Sequence, residues 1–528
     1  MSSAPTFPGV YVREEPSGVR TITGVSSSVT AFLGRADRGP VDTPVTVDNF
    51  GEYERTFGPL SADIPLGYAV RAFFLNGGGS AVVVRLYGAP SGSDGRASLT
   101  VGGVRLTAVD PGAWGNALQA SVDRDDITAD VADRFGVALG DLFNLVVTGQ
   151  GTTERFANVT VVEGPRRVDR VLAQQSRLVR TAGTLPADNP AATPSTGDTP
   201  APRTKAARAA AAVPAAAPAR GSGGADSAKL DTAGIVGSQA AKTGLYALDR
   251  TDLFNLLCIP PDTVAGDVPL DAYQEAMAYC ASRRAVLLVD PPAGWDPLTD
   301  AADVLAKFTG PDARNAALYY PRLVQADPLR GGALGTFVPS GAVAGVIART
   351  DAQRGIWKAP AGVDATVGGV SGLAAGLTDG ENGRLNPVGV NCLRTFPASG
   401  VVVWGARTLR GSDQLADEYK YLPVRRLALH LEESLSRGCQ WAVFEPNDEP
   451  LWSQLRLNVG VFLHELFRQG AFAGRSPRDA YFVKCDRETT TAADVDAGIV
   501  NVVIGFAPLK PAEFVVLTIR QIAGQLEA

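Results

Sequence analysis

Between Pro186 and Asp226 the chain carries seven prolines and fifteen alanines in forty-one residues, no aromatic residue, and Val213 as its one large aliphatic side chain. A stretch of that composition buries too little apolar surface to offset the conformational entropy lost on ordering, so it cannot belong to a packed core. It reads as a disordered or extended linker over residues 186–228, and it splits the 528 residues into two runs of foldable sequence. At ordinary domain sizes that length predicts about three or four domains.

Before the linker, Val25–Gly34 and Val82–Leu86 are apolar runs suited to strands. Between them Leu66, Val70, Phe73 and Phe74 recur at helical spacing up to Asn76-Gly77-Gly78-Gly79. No Lys-Ser/Thr follows these glycines and they come after the helix, so they read as a helix stop and not as a phosphate loop. From Gly92 to about Thr184 the texture changes to short strands, with Leu99–Val101, Val104–Val109 and Phe143–Thr148 as candidates. After the linker, Leu253–Ile259 and Ala285–Val289 are continuous apolar runs ended by proline pairs, with a helix predicted over Tyr273–Arg284. In the final third, Val424, Leu427, Leu431 and Leu435 form one helical stripe stopped by Gly438. Leu451, Leu455, Val459, Phe462, Leu463 and Leu466 form a second, begun at Asp448 and Pro450 and stopped by Gly470. Trp441–Phe444 between them reads as a strand, and Gly498–Phe506 as part of a small sheet.

Both chain ends read as lone strands. Val10, Tyr11 and Val12 lie between Pro8-Gly9 and Pro16. Phe514, Val515, Val516, Leu517, Thr518 and Ile519 follow Pro508 and Pro511, with Val515, Leu517 and Ile519 on one face. A bare strand leaves a row of unpaired N–H and C=O groups, so these segments either pair at home or add to the sheet of another chain.

The net charge of −6 is mild and Lys and Arg are dispersed, which gives no electrostatic footprint for nucleic acid or for an anionic membrane. No run approaches the roughly 20 apolar residues that span a bilayer, and Met1–Pro5 lacks a secretory signal. Synthesis in the cytoplasm is therefore expected. Cys258, Cys280, Cys392, Cys439 and Cys485 are widely spaced, as reduced buried thiols are. Of two histidines, His464 opens a His-Glu pair, but Arg468 stands where a second zinc ligand is needed. Lys242-Thr243 follows Ala241 instead of the glycine of a phosphate loop, and Asp123, Asp125 and Asp126 have Arg124 among them. These patterns predict no catalytic residue, cofactor or metal.

Several phrases then invite a comparison. Phe7-Pro8-Gly9-Val10-Tyr11-Val12-Arg13-Glu14, Gly24–Gly34 and Tyr68–Gly78 resemble the opening of contractile tail sheath proteins. Asn386-Pro387-Val388-Gly389-Val390-Asn391, Val402-Val403-Trp404-Gly405-Ala406-Arg407-Thr408, Phe444-Glu445-Pro446-Asn447, Phe467–Phe472 and Gly505–Pro508 resemble their closing third. The similarity covers residues 5–90 and 245–525.

The resemblance implies a non-enzymatic sheath subunit of a phage tail or phage-tail-like injection system. Such subunits stack as hexameric rings around an inner tube and contract to drive that tube through a target envelope. Partners implied are further copies of the chain, the inner tube protein, and baseplate and terminal cap proteins, in a particle that can leave the cell. The competing reading is a non-polymerising α/β enzyme or binding protein. The fold class expected is a multidomain α+β and α/β chain. Its division is an N-terminal arm (1–24), a core domain in two parts (25–91 and 396–510), a β-rich inserted outer domain (92–185), the linker (186–228), an inserted α/β middle domain (229–395) and a C-terminal strand arm (511–528). The arms would bridge subunits, with Gly18, Gly24, Pro508 and Pro511 as hinges. Arg425, Arg426, Glu432 and Glu433, the charged front of the Val424–Arg437 helix, are the expected contact with the inner tube.

Overall fold

The structure, a computed structural model, describes residues 20–193, 218–514 and 516. Its centre is an eight-stranded sheet. In chain order the strands are β1 (Thr30–Gly34), β2 (Val45–Val47), β3 (Ala81–Arg85), β4 (Leu256–Cys258), β5 (Val286–Val289), β6 (Ala316–Tyr320), β7 (Val390–Phe396) and β8 (Gly400–Val403). Across the sheet they run β8-β7-β6-β5-β4-β1-β3-β2. The six inner strands are parallel, and β2 and β8 close the edges antiparallel. Every residue of β1, β3, β4, β5 and β6 is buried, which is why these strands read as unbroken apolar runs and not as alternating ones.

Alternate residues feed two cores. Leu33, Val84, Leu257, Leu287 and Leu318 face α2 (Leu270–Ser282), whose Tyr273, Ala276 and Cys280 are buried there. Phe32, Val83, Leu256, Leu288 and Tyr319 face the other side, under α1 (Pro65–Leu75), α3 (Ser340–Arg354) and Leu422 and Leu429 of α4 (Leu422–Gly438). As expected, α1 stops at the glycine run, where Gly77 takes a φ of 105°.

This sheet differs from the expected division. Strands of residues 25–91 pair with those of 229–403, so the first part of the expected core and the expected middle domain share one sheet. The cause is the β1–β4 pairing, Thr30 with Leu256 to Phe32 with Cys258, a contact across more than two hundred residues that local periodicity does not encode.

The described residues of 92–228 form a β-rich insert with its own core, including Leu106, Phe143, Leu145, Leu172 and Val179. One of its sheets holds Ser98–Val101, Val104–Ala108 and Val179–Thr181, and another Gln119–Asp123, Phe143–Gly149, Thr152–Val159 and Ala219–Arg220. The linker reading is corrected at both flanks. Thr193 exchanges hydrogen bonds with Val122, Asn189 Oδ1 accepts from Val161 N, and Ala219–Arg220 pairs with the Gln119–Ala120 end of its neighbour. Backbone pairing needs no large side chain, so composition alone misjudged these residues. The rest of that segment, 194–217, lies outside the described residues. Both ends of the insert meet where Ala228 N donates to Gly88 O (2.9 Å) and Gly88 N to Ser227 Oγ (2.8 Å).

The last part of the chain packs α4 against α5 (Glu449–Arg468) through Leu427, Leu431, Val459, Phe462 and Leu463. Asp448 caps α5 by accepting from Leu451 N. Trp441–Phe444 is no strand: a 3-10 turn spans Gln440–Ala442, and Phe444 is fully exposed with φ 69°. The chain must reverse between two packed helices within about ten residues, which leaves no room for a strand.

Candidate functional site

Of the residues expected to bridge subunits, Val10, Tyr11, Val12, Val515, Leu517, Thr518 and Ile519 lie outside the described residues. Phe514 and Val516 are described, and both side chains are exposed, at 75% and 85%. What the structure shows in detail is how each arm is rooted.

The N-terminal root runs along α4 and α5. Arg20 N donates to Asn458 Oδ1 (3.1 Å) and the Arg20 guanidinium lies 4.7 Å from the Trp441 ring. Ile22 is buried against Gly438, where an added Cβ would stand 2.5 Å from Ile22 Cγ2, so only glycine fits. Val25 N donates to Ser434 Oγ (3.1 Å), and Ser27 Oγ to Asp351 Oδ2 (2.7 Å). The C-terminal root ends at Glu513, whose carboxylate receives the Arg407 guanidinium. Gly24 and Pro508 thus lie inside pinned stretches. Gly24 abuts His430 and Pro508 bridges to Phe472, so neither is the expected hinge.

Near these roots is a two-stranded antiparallel sheet of β9 (Tyr481–Lys484) and β10 (Val503–Phe506), in register from Tyr481 opposite Phe506 to Lys484 opposite Val503. Tyr481, Val483, Ile504 and Phe506 pack toward α5 and Phe472, while Phe482 and Val503 remain about half exposed. Among the described residues each strand has a single hydrogen-bonded neighbour, which leaves each with an open edge. A two-stranded sheet is marginal alone, and open edges accept further strands.

The expected tube-facing front of α4 is largely turned inward. Arg426 is buried and donates to both Asp351 oxygens and to Ser27 O (2.8 Å). Arg425 donates to Asn315 Oδ1 (3.1 and 3.2 Å) and stacks on Tyr419. Burial pushes the Glu433 carboxyl up, yet Arg437 and Arg284 together hold it below the usual range. Glu432 alone keeps a substantially exposed side chain, at 45%. These charges bind α4 to the rest of its own subunit, so Arg426 is removed from the expected tube contact by burial. The partners Asp351 and Arg284 lie far away in sequence, which is why the stripe looked like a solvated face.

A ligand in a parallel α/β sheet sits beyond the carboxyl ends of the strands. There the cavity beside Asp290, Tyr273, Phe308 and Arg322 holds about 30 Å³, against the roughly 300–1,000 Å³ of small-molecule sites. An open cleft of about 310 Å³ lies between Phe308, Val388, Leu409 and Leu415, and its charged residue, Arg410, is engaged by Asp417. His464 is exposed beside the Tyr481 hydroxyl (3.2 Å), and Asp123 accepts from Arg155 and Asn144.

Asp290 has a consequence for stability. Burial pushes its carboxyl up to about 7, against the ionised form that the Ser340 N–H and hydroxyl and the nearby Arg322 favour. The native chain therefore keeps a proton that the unfolded chain releases near pH 4. Stability from this group is highest at the acid end and falls by roughly 4 kcal/mol as pH rises to about 7. Asp290→Asn is expected to flatten that fall, read as the difference between variant and unaltered protein in urea midpoints from pH 4.5 to 7.5. Parallel pH profiles would reject the assignment.

Comparison with known proteins places this architecture. Residues 234–409 match the phage tail sheath protein central domain, and residues 416–522 the phage tail sheath C-terminal domain. The tail sheath protein of Burkholderia phage BcepMu is 26% identical over 490 residues, covering 88% of this chain and 87% of that protein. That of Vibrio phage KVP40 is 27% identical over 179 residues, 34% of this chain and only 25% of its own length. Among solved structures, the PVC sheath complex of an extracellular contractile injection system, in its contracted state, superposes with a TM-score of 0.58 at 21% identity over 99% of both chains. The sheath tail protein of Listeria innocua does so with 0.61 at 13% identity, covering 93% of this chain and 96% of that one. With both domain families in order over more than half of its length and the fold shared throughout, the chain belongs to the phage tail sheath proteins, the sheath subunits of contractile tails and tail-like injection systems.

Proposed function

We propose that this chain polymerises as stacked hexameric rings around an inner tube, and that its arms hold the lattice together by adding strands to the β9–β10 sheets of neighbouring subunits. The observation that carries this reading is the β9–β10 sheet itself, a pair of strands that among the described residues has two open edges, on a subunit with two rooted arms. Adding a strand to a neighbour is a heterologous contact, and repetition along a screw axis builds an open tube instead of a closed dimer. Contraction drives the inner tube through a target envelope, with baseplate and cap proteins at the ends. The role is structural and non-enzymatic: the energy is stored when the extended lattice assembles and is released once.

Electron microscopy of the purified chain tests this. Long hollow rods appearing as concentration rises are the expected result. Monodisperse single subunits at every concentration, with or without an inner tube protein, would remove the proposal.

A further inference from the structure

Arg407 is completely buried, and each of its guanidinium nitrogens has an acceptor. Nε donates to Glu513 Oε1 (2.7 Å), Nη2 to Glu513 Oε2, and Nη1 to Gly411 O (3.0 Å) and Asp413 Oδ1 (2.9 Å). The backbone around it is equally fixed. Arg407 N donates to Asn391 Oδ1 (2.7 Å), while Asn391 Nδ2 donates to Arg407 O (2.8 Å) and to Leu318 O (3.1 Å), tying the segment to β6 and β7. Gly411 lies so close that a Cβ there would stand 2.7 Å from that of Arg407. Nothing in this arrangement is free to follow Glu513 if the arm moves.

Burial works against the Arg407 charge, but Glu513 and Asp413 more than compensate and hold its pKa above the ordinary value. A bidentate fork onto a carboxylate is among the strong pairings, and withdrawing the carboxylate would leave a buried cation with half of its acceptors gone. Meanwhile Phe514, the next residue, is exposed. Glu513 is therefore the last described residue whose side chain is bonded to the rest of the subunit.

We propose that Arg407 and Glu513 are positioning residues that anchor the C-terminal arm to the large sheet of its own subunit, fixing where the arm departs and passing its pull into β6 and β7. This rests on the reading of the arm as a strand donated to a neighbour. It adds that the anchor stays closed in both the free and the assembled subunit, so that only residues beyond Glu513 are exchanged.

The test uses the full chain carrying Glu513→Gln, with Glu513→Asp as the conservative control. Melting temperature reports the fold, hydrogen exchange of the peptide spanning residues 509–516 reports the anchor in unassembled subunits, and tube length by electron microscopy reports assembly. Glu513→Gln is expected to lower the melting temperature by no more than a few degrees, to speed exchange in that peptide about tenfold or more, and to give fewer and shorter tubes. Glu513→Asp is expected to recover part of both effects. Unchanged exchange in Glu513→Gln would overturn the anchor whether or not tubes form. Faster exchange with normal tubes would overturn its positioning role, and an unaltered chain that makes no tubes counts against the assembly reading alone.

Discussion

A subunit truncated after Pro511 is expected to melt within a few degrees of the full chain and to form no tubes at any concentration. The truncation removes the Glu513 side chain from Arg407, but it leaves β9, β10 and the whole eight-stranded sheet in place. On the proposed reading, what it takes away is the segment that adds to a neighbour's open edge. A four-residue pairing supplies on the order of four backbone hydrogen bonds at roughly 1 kcal/mol each, repeated at every subunit of the lattice. Loss of that term at each contact stops growth outright. Deleting Met1 to Ser17 should act the same way, because the described part of the N-terminal root, from Arg20 onward, remains bonded to Asn458. Melting curves and negative-stain images of both truncations decide the matter, and normal tubes from either one would refute the arm as a coupling.

The largest effect on the fold is expected at Arg426. Its guanidinium and the Asp351 carboxylate are both buried, at 2% and 5% exposure, and Ser27 bonds to each. Arg426→Met leaves Asp351 buried without its counter-charge, which typically costs about 3–5 kcal/mol. The urea midpoint should fall accordingly. The double variant Arg426→Met with Asp351→Leu should recover a large share, since it removes the stranded charge along with its partner. A single variant that loses less than about 1 kcal/mol would show that the pair is not the clamp between α3, α4 and the N-terminal root.

Much of the secondary structure was legible because burial imposes a period. The uniform runs of β1, β3 and β5 and the stripes of α4 and α5 follow directly from which side each element hides. What escaped was any feature held by partners distant in sequence. Arg425, Arg426, Glu432 and Glu433 have the spacing of a solvated face, and nothing local reveals that Asp351 and Arg284 wait on the other side. The same is true of Arg407 and Glu513. An arginine inside the apolar phrase Val402–Thr408 is a sign that it must be paired, but its partner lies on a segment read only for its alternation. The Ala/Pro-rich stretch erred the opposite way, since its flanks are ordered by backbone pairing, to which composition is blind.

The meeting of Gly88 with Ala228 gives the insert an unusual freedom to vary. Two chain ends one strand spacing apart, about 5 Å, can be joined by a tight turn or by another domain of almost any size. Either splice would leave the strand register of the large sheet untouched. The insert can therefore be exchanged, or replaced by a foreign module, independently of the large sheet that carries it.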